Sequence, residues 1–226
     1  MKKLLFWMVL IVGILALIGS CAKKDEETAA TAAADNTTST DNTTSTTKYI
    51  STTTTASGSI TMGDDTLSGV YASECLTSAS TIAFFKATGF WASEVNAYGQ
   101  VFVVTGSDNI SIELYAFTDT SCSNLSQSQK TVSDNVTFGS ASGSNYPVTY
   151  NNQTQALTVH TTAAETALET LYSDALDFIV GTPIELPVSG SGLKYGLWTL
   201  SGTTWYEASS SSATPTSAGT VPHVKQ

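Results

Sequence analysis

The sequence predicts a mainly β protein, with a single antiparallel β-barrel or β-sandwich domain and one late amphipathic helix. Three observations lead to this fold class. Most of residues 66–226 alternates apolar and polar side chains with the period of two that strands require, and clusters of Gly, Ser, Asn and Asp separate the alternating runs. One stretch after residue 161 repeats its apolar residues at helical spacing instead. Roughly 160 residues are enough for one domain with its own core.

The clearest alternation lies at residues 110–117, and a similar run at 98–104 precedes it across the turn-rich residues 106–109. Together these two runs predict a β-hairpin. Asn151 and Asn152 predict a turn between two later strands. The remaining predicted strands are 69–75, 81–86, 130–138, 146–150, 155–161, 194–200 and 204–208. With about eight or nine strands, we expect the sheet to close into a barrel or to fold into two layers.

One segment predicts an α-helix. Residues 162–165 (TAAE) fit a capping box. In this motif the Thr162 hydroxyl accepts a hydrogen bond from the Glu165 backbone N–H, and the Glu165 carboxylate accepts one from the Thr162 backbone N–H. Apolar residues then recur at positions 164, 168, 171, 175 and 178, and residues 181–183 (GTP) end the run. The opposite side is acidic, which anionic lipid headgroups would repel. We therefore expect the helix to flank or plug the sheet.

The start of the chain has the pattern of an export signal. Lys2 and Lys3 form a positive region, residues 4–18 are an apolar run, and Gly19 and Ser20 are small residues at a cleavage position. The run is shorter than the roughly 20 apolar residues that a membrane-spanning helix needs. We predict a signal peptide over residues 1–20.

Residues 17–21 (LIGSC) resemble the lipobox of bacterial lipoproteins. The resemblance implies cleavage before Cys21 and attachment of fatty acyl chains such as palmitate to Cys21, so that the membrane is a partner through this lipid anchor. Two or more acyl chains give stable membrane attachment. The residue after the cysteine is Ala22, not aspartate, and the resemblance then implies the outer membrane of the cell envelope.

Residues 21–65 predict a lipidated N-terminus followed by a disordered Ser/Thr/Asp-rich tether. The hexapeptide DNTTST at 35–40 is repeated at once at 41–46, and large apolar residues are almost absent. Two copies are too few to stack as a repeat fold, and a calcium loop needs more carboxylates and a turn glycine. A flexible chain of this length spans about 35 Å and would hold the domain, predicted at 66–226, clear of the membrane.

The charge of the chain excludes one class of partner. Asp and Glu number 19 against 9 Lys and Arg, the formal net charge is −10, and arginine is absent from the sequence. Nucleic-acid binding depends on cationic side chains that neutralise phosphates. We therefore expect no nucleic-acid partner.

Cys75 and Cys122 are the two cysteines besides Cys21. An even pair in an exported domain predicts a disulfide. A pair of buried free thiols and a reactive cysteine are the alternatives. Neither residue has a neighbouring histidine or a Cys-x-x-Cys motif that would lower a thiol pKa, so the disulfide is favoured.

The sequence offers few candidates for catalysis or metal binding. His160 ends a predicted strand and His223 lies in a Ser/Thr/Pro-rich tail, which is too little for a zinc site. Ser-His catalysis would need a nucleophile motif such as Gly-x-Ser-x-Gly, which does not occur. Residues 190–192 (GSG) lack the lysine and helix of a phosphate loop, and Asp64 and Asp65 lie at the tether boundary. We predict no catalytic residue, no cofactor and no metal site.

Three segments carry a resemblance to a known group of proteins. They are residues 69–75 (GVYASEC), 115–122 (YAFTDTSC) and 195–206 (YGLWTLSGTTWY). In this order they resemble a group of uncharacterised bacterial lipoproteins with a lipocalin-like barrel, over most of residues 68–226. The resemblance implies a barrel in preference to a sandwich, with 195–206 as its closing hairpin, and it implies no catalytic residues.

Two functions follow as expectations. In the first, a membrane-anchored lipoprotein presents its β domain to an envelope or extracellular protein, or has a structural role there. In the second, a lipocalin-like carrier holds a small apolar ligand inside the barrel. About eight strands can either fill their own interior or leave one small cavity, so the first function is favoured because it assumes less.

Overall fold

The computed structural model describes residues 48–173, 175–188 and 192–226. In this part of the chain, eight antiparallel strands form one closed barrel, so the predicted mainly β fold is confirmed and the barrel, not the sandwich, is its form. The barrel strands are β3 (Val70–Ala72), β4 (Ala97–Val104), β5 (Ile110–Phe117), β6 (Leu125–Phe138), β7 (Asn145–Val159), β9 (Leu193–Ser201), β10 (Thr204–Ser210) and β11 (His223–Lys225). They follow one another around the barrel in that order, and β11 returns to pair with β3.

Further elements lie at the ends and the side of the barrel. They are β1 (Ile60–Met62), β2 (Asp65–Leu67), β8 (Pro183–Leu186), α1 (Ala79–Ala87) and α2 (Thr162–Tyr172). β1 and β2 form a separate antiparallel hairpin. Two strands pair with the same edge of β7: β9 pairs with its first half, and β8 pairs with its second half.

The shortest barrel strand, β11, closes the ring. Val224 is paired with Ala72 of β3, and His223 is paired with Trp205 of β10. His223 is only 1 % exposed. The prediction that His223 lies in a polar tail is therefore wrong. The reason is that a strand of three residues is too short to show an alternation in the sequence.

An apolar layer fills one half of the barrel interior. Trp198 and Trp205 lie with their ring centroids 4.6 Å apart, and Tyr71 meets the Trp205 ring edge-on at 5.4 Å. We call this the aromatic layer; its other buried members are Phe102, Val104, Ile110, Val136, Val148 and Tyr150, together with Ile60, Met62 and Leu67 from the β1–β2 hairpin. Burial of each large apolar side chain is worth about 1.5–3 kcal/mol, so this layer is a main source of stability.

The two helices close the opposite end of the barrel. Ile82 and Phe85 of α1 and Leu168 of α2 are buried in one cluster with inward side chains of β4, β5 and β7. Phe85 stacks on Trp91, with 4.3 Å between the ring centroids. The predicted late helix is confirmed, and Phe178, beyond its end, is buried in the same cluster.

The ends of α2 differ by a few residues from the prediction. Its N-cap is Thr161, whose hydroxyl accepts a hydrogen bond from the Ala164 N–H, so the cap lies one residue before the predicted Thr162. The helix ends at Tyr172 because Ser173 adopts the left-handed conformation, with φ 53°. Its backbone N–H caps the last turn by bonding to helix carbonyls.

The segment 81–86 is helical, so the prediction of a strand there is wrong. Ser78 caps α1 through the backbone N–H of Thr81. Ile82 and Phe85, three positions apart, face the same side and are both buried. The β-branched and aromatic residues of this segment favour a strand by propensity, but the burial of this helical face outweighs propensity.

The predicted turn at Asn151 and Asn152 is also wrong, because β7 continues through both residues. The register between β6 and β7 shifts at this point. The same place marks the change of partner on the other edge of β7, from β9 to β8. Two asparagines therefore mark an irregularity within a strand, not the end of a strand.

Residues 49–57 form a strap across the outer wall of the barrel. The Ile50 N–H donates to the Ser73 carbonyl, and the Ser57 N–H donates to the Val104 carbonyl. Ile50 packs closely on Gly99, because a Cβ atom added to Gly99 would lie only 2.2 Å from the Cγ1 atom of Ile50. The strap covers outward residues of β4, and all eight positions of that strand are buried. The predicted tether boundary at residue 65 is therefore wrong, since residues 49–65 belong to the folded unit.

The strap is fixed by a buried carboxylate on the outer wall. Glu113 of β5 is 3 % exposed. It accepts hydrogen bonds from the hydroxyls of Thr52 and Thr54 in the strap, and from Tyr115, whose hydroxyl lies 2.5 Å away. Burial and the neighbouring Glu113 raise the pKa of Tyr115, which keeps its hydroxyl protonated as a donor. Lys130 adds a cation at 3.8 Å.

Cys75 and Cys122 form a disulfide on the outer wall, with Cα atoms 5.8 Å apart. This is the pairing that the cysteine count predicts. The bond joins the chain after β3 to the loop between β5 and β6. Both cysteines pack against the apolar side chains beneath the strap.

Glu113→Ala should loosen the strap. The substitution leaves the half-buried hydroxyls of Thr52, Thr54 and Tyr115 without their acceptor. A fully buried unsatisfied donor costs roughly 1–3 kcal/mol and a half-buried one less, so we expect about 3 kcal/mol lower unfolding free energy for the three together. Hydrogen exchange at the amides of Ile50 and Ser57 should accelerate more than exchange within β5 and β6. Glu74→Ala, which removes an exposed ion pair with Lys48, should change stability by less than about 1 kcal/mol. Unchanged exchange in the Glu113 variant would contradict this role.

Reduction of the disulfide should lower the thermal midpoint without changing the strand content. In the loop-entropy model, a bridge between residues 47 apart stabilises by about 4 kcal/mol through the unfolded chain. Circular dichroism during thermal unfolding, with and without reductant, measures the effect. The Cys75→Ala/Cys122→Ala double variant is the control, since its midpoint should not respond to reductant.

Candidate functional site

A polar chamber lies in the barrel interior beside the aromatic layer. Its volume is about 40 Å³, which is room for about three water molecules. It opens to solvent on one side, and it includes side chains from β4, β5, β6, β7, β9 and β10. The lining residues are Gln100, Phe102, Ile112, Thr131, Tyr150, Asn152, Lys194, Glu207, Ser209 and Ser210.

Strand alternation positions the charged members of the chamber. Trp205, Glu207 and Ser209 occupy every second position of β10, so a buried tryptophan places the glutamate on the inner face. Lys194 and Trp198 share one face of β9 for the same reason. Glu207 is paired directly with Trp198 across the two strands.

The Glu207 carboxyl is held in an environment that disfavours its charge. Burial raises its pKa from 4.5 to about 7, and a hydrogen bond with the Ser209 side chain offsets part of that effect. Near pH 7 the protonated and the ionised form of the Glu207 carboxyl therefore coexist. This range is unusual for a carboxyl group, and it is typical of functional sites.

Tyr150 of β7 lies beside Glu207. Burial and the charge of Glu207 raise the pKa of the Tyr150 phenol, so this hydroxyl stays protonated and can donate a hydrogen bond into the chamber. The Tyr150 ring packs on Trp198, with 5.7 Å between centroids. Tyr150 thus links the chamber to the aromatic layer.

Lys194 of β9 is the cationic member of the chamber. Burial lowers its pKa from the usual value. In the described residues, ion pairs connect Lys48 with Glu74 and Lys130 with Glu113, and none joins Lys194 with Glu207. The chamber therefore holds one acid and one base that do not neutralise each other directly.

His223 borders the chamber from β11. Its Nδ1 lies 3.3 Å from the Trp205 carbonyl oxygen, and its Nε2 lies 3.3 Å from the side-chain oxygen of Gln100. Burial lowers its pKa to about 4. The ring is neutral at pH 7 and carries one N–H, whereas both partner oxygens can only accept. With Nδ1 donating to the Trp205 carbonyl, Nε2 is an acceptor, and the Gln100 amide satisfies it when its NH₂ group, not its oxygen, faces the ring.

Two indole N–H groups in the aromatic layer have no hydrogen-bond partner. They are Nε1 of Trp198 and Nε1 of Trp205, both fully buried. Such unsatisfied donors are rare in protein interiors. Both tryptophans adjoin Glu207, one across the strands and one along β10.

The sequence-predicted site residues lie elsewhere. Cys21 and residues 1–20 lie outside the described residues, as does most of the 190–192 motif. Cys75 and Cys122 border a recess of about 280 Å³ on the outer wall, next to the start of the strap. Asp64 and Asp65 lie at the turn of the β1–β2 hairpin.

His160 lies on the outer wall, outside the chamber. Its Nε2 is 3.1 Å from the Ser128 hydroxyl, and burial lowers its pKa. No carboxylate is hydrogen-bonded to His160 in the described part of the chain, so a third member that would orient the ring as a base is lacking.

Sequence reasoning missed the chamber residues Tyr150, Lys194 and Glu207, and also His223, which contacts the chamber through Gln100. A signal for Glu207 exists, since its position two residues after Trp205 places both on one face of a strand. The other three could not be assigned, because their convergence depends on the closed ring of strands.

The described residues contain neither a candidate metal-binding cluster nor a helix suited to crossing a membrane. They contain no group of three or more His, Cys, Asp or Glu side chains arranged to hold a metal ion. Within the same residues, no helix combines the length and the apolar character needed to cross a membrane.

No protein-family model matches the chain, and no curated protein matches its sequence.

Glu207 and His223 should make opposite contributions to the pH dependence of stability. The folded protein holds the Glu207 proton more tightly than the unfolded chain does. The contribution of Glu207 to the unfolding free energy therefore falls as pH rises from 4.5 to about 7. His223 is harder to protonate in the folded protein than in the unfolded chain. Its contribution to the unfolding free energy therefore falls as pH falls from 6.5 to about 4. Each effect is at most about 3 kcal/mol.

Urea unfolding between pH 4.5 and 8 separates the two contributions. Relative to the natural protein, Glu207→Gln should gain stability as pH rises, and His223→Gln should gain stability as pH falls. Glu185→Gln on exposed β8 is the matched control and should follow the natural protein at every pH. Parallel curves for all three variants would show that neither buried group titrates as described.

Proposed function

We propose that this protein is a lipoprotein of a bacterial envelope, anchored through Cys21, whose barrel serves as an interaction or structural module. The observation that carries the anchoring is the segment LIGSC at 17–21, which follows a charged start and an apolar run of signal length. The disulfide between Cys75 and Cys122 supports export, because such bonds persist in oxidising compartments. We infer the outer membrane as the destination from Ala22.

The small free volume inside the barrel favours a role as an interaction module over a role as a carrier of an apolar molecule. The apolar half of the interior is occupied by rings in mutual contact, such as Trp198 and Trp205. The remaining volume of about 40 Å³ has a mixed lining, in which apolar surface such as Phe102 and Ile112 accompanies the polar side chains. Ligand pockets for drug-sized molecules are roughly 300–1,000 Å³. We propose no catalytic role for the barrel.

The spacing between anchor and barrel fits presentation of a folded module. The strap begins at residue 49, and 26 residues separate Cys21 from Lys48. A flexible polar chain of that length has a root-mean-square span of about 5–6 Å times the square root of its length, or ~28 Å. The tether in this proposal is shorter than the sequence alone predicts.

Cys21→Ala should abolish processing of the precursor. Without the thiol no acyl group can be attached, and cleavage of the leader should fail, so the variant should keep its full-length mass. Intact mass spectrometry of membrane-extracted protein should show, for the natural chain, loss of residues 1–20 and a gain of acyl chains. Cys75→Ala is the matched control and should be processed normally. Normal cleavage and acylation of the Cys21 variant would refute the anchor.

Density-gradient fractionation and native mass spectrometry test the remaining parts. The natural protein should sediment with outer-membrane markers; recovery with inner-membrane markers would overturn that destination. The purified acylated chain should carry no additional apolar molecule. A stoichiometric apolar ligand would instead favour the carrier function.

A further inference from the structure

The polar chamber contains two opposite charges at different levels of the barrel. Glu207 of β10 lies level with Trp198, and Lys194 lies four positions before Trp198 on the same face of β9. At about 3.3 Å per residue, this offset corresponds to roughly 13 Å along the strand. The two side chains line one chamber, and neither of the ion pairs in the described residues joins them.

Each charge is only partly compensated by the protein. Ser209 is the hydrogen-bonding partner of the Glu207 carboxyl, and burial is the largest influence on both Glu207 and Lys194. Glu207 and Lys194 are both half-buried, and a charge that is partly withdrawn from water without a counter-charge destabilises the fold. A bound molecule that brings a cation to the acid and an anion to the base would remove both penalties at once.

We propose that the chamber binds a small zwitterion, a free α-amino acid with a side chain no larger than methyl, whose ammonium group contacts Glu207 and whose carboxylate contacts Lys194. Such a molecule carries its own opposite charges only a few bonds apart, so one small ligand can reach both side chains that line the chamber.

The uncharged lining complements both ends of this ligand. The Tyr150 hydroxyl and the Gln100 and Asn152 amides provide donors and acceptors around the chamber. Aromatic faces at Tyr150 and Phe102 favour an ammonium group through cation–π attraction. A purely apolar ligand would leave these polar groups unpaired.

The volume limits the size of the ligand. About 40 Å³ holds about three waters, which matches the ammonium and α-carbon of an amino acid, while the carboxylate lies at the open side with Lys194. A branched or aromatic side chain would clash with the filled aromatic layer. The chamber should therefore discriminate strongly by size.

Isothermal titration calorimetry on the purified full chain in detergent tests the proposal with glycine and L-alanine as probes. Both should bind saturably, while L-leucine and L-phenylalanine should not. Methylammonium and acetate, which carry one charge each, should bind at least ten-fold more weakly. Absence of saturable binding by glycine and L-alanine, or equal binding of all six compounds, would overturn the proposal.

Two variants locate the binding in the chamber. Glu207→Gln and Lys194→Met should each weaken glycine binding at least ten-fold. The matched controls Glu185→Gln and Lys86→Met change charges outside the chamber and should bind as the natural protein does. Near-ultraviolet circular dichroism reports whether the tryptophan layer is intact in each variant. Full affinity in a folded Glu207→Gln variant would overturn the assignment.

A third measurement needs no variant. Glu207 can form an ion pair with an ammonium group only when the Glu207 carboxyl is deprotonated. Ligand binding near pH 6.5 should therefore release a proton from Glu207. Calorimetry in two buffers of different ionisation enthalpy should then give different observed heats. Equal heats in both buffers would contradict contact between the ammonium group and Glu207. Failure of these experiments would leave the Cys21 anchor unaffected, because they involve different residues.

Discussion

Closure of the strand ring at β11 is the constraint on which the rest of the structure depends. Three residues, His223–Lys225, join β10 to β3 and remove the last open edges between them. Once the ring is closed, alternate side chains of every strand must share one interior. The tryptophans, the helices and the β1–β2 hairpin then have fixed places, since they fill that interior or cover its ends.

The polar chamber exists because the interior is filled unevenly. Large rings occupy the half next to the β1–β2 hairpin, and the helices supply apolar side chains to the other end. Between these clusters, the inward positions carry glutamine, threonine, asparagine, lysine and glutamate. A barrel selected for stability alone would place apolar residues there. Unneutralised charges in this region are therefore the strongest sign of function in the described chain.

The sequence predicts the local parts of this structure better than the long-range parts. The hairpin of β4 and β5, the hairpin of β9 and β10 and helix α2 follow from alternation, turns and capping, all of which act over a few residues. The sequence predicts a strand in place of helix α1 because the burial of that helix comes from residues far along the chain, such as Leu157 and Leu168. The strap looks polar and disordered in sequence, and its order depends on Glu113, about 60 residues away. The chamber could not be predicted, because its charged members come from separate strands.

The strap also has a mechanical meaning for an anchored chain. Any tension between membrane and barrel enters the fold at Lys48 and acts first on residues 49–57, before it reaches a barrel strand. Thr52 and Thr54 hold that segment to Glu113, and the Cys75–Cys122 bond lies beside its start. Peeling the strap would lengthen the chain by about 30 Å while the closed ring stayed intact. In a chain anchored through Cys21 as proposed, the segment would therefore act as an extensible link that protects the barrel from load.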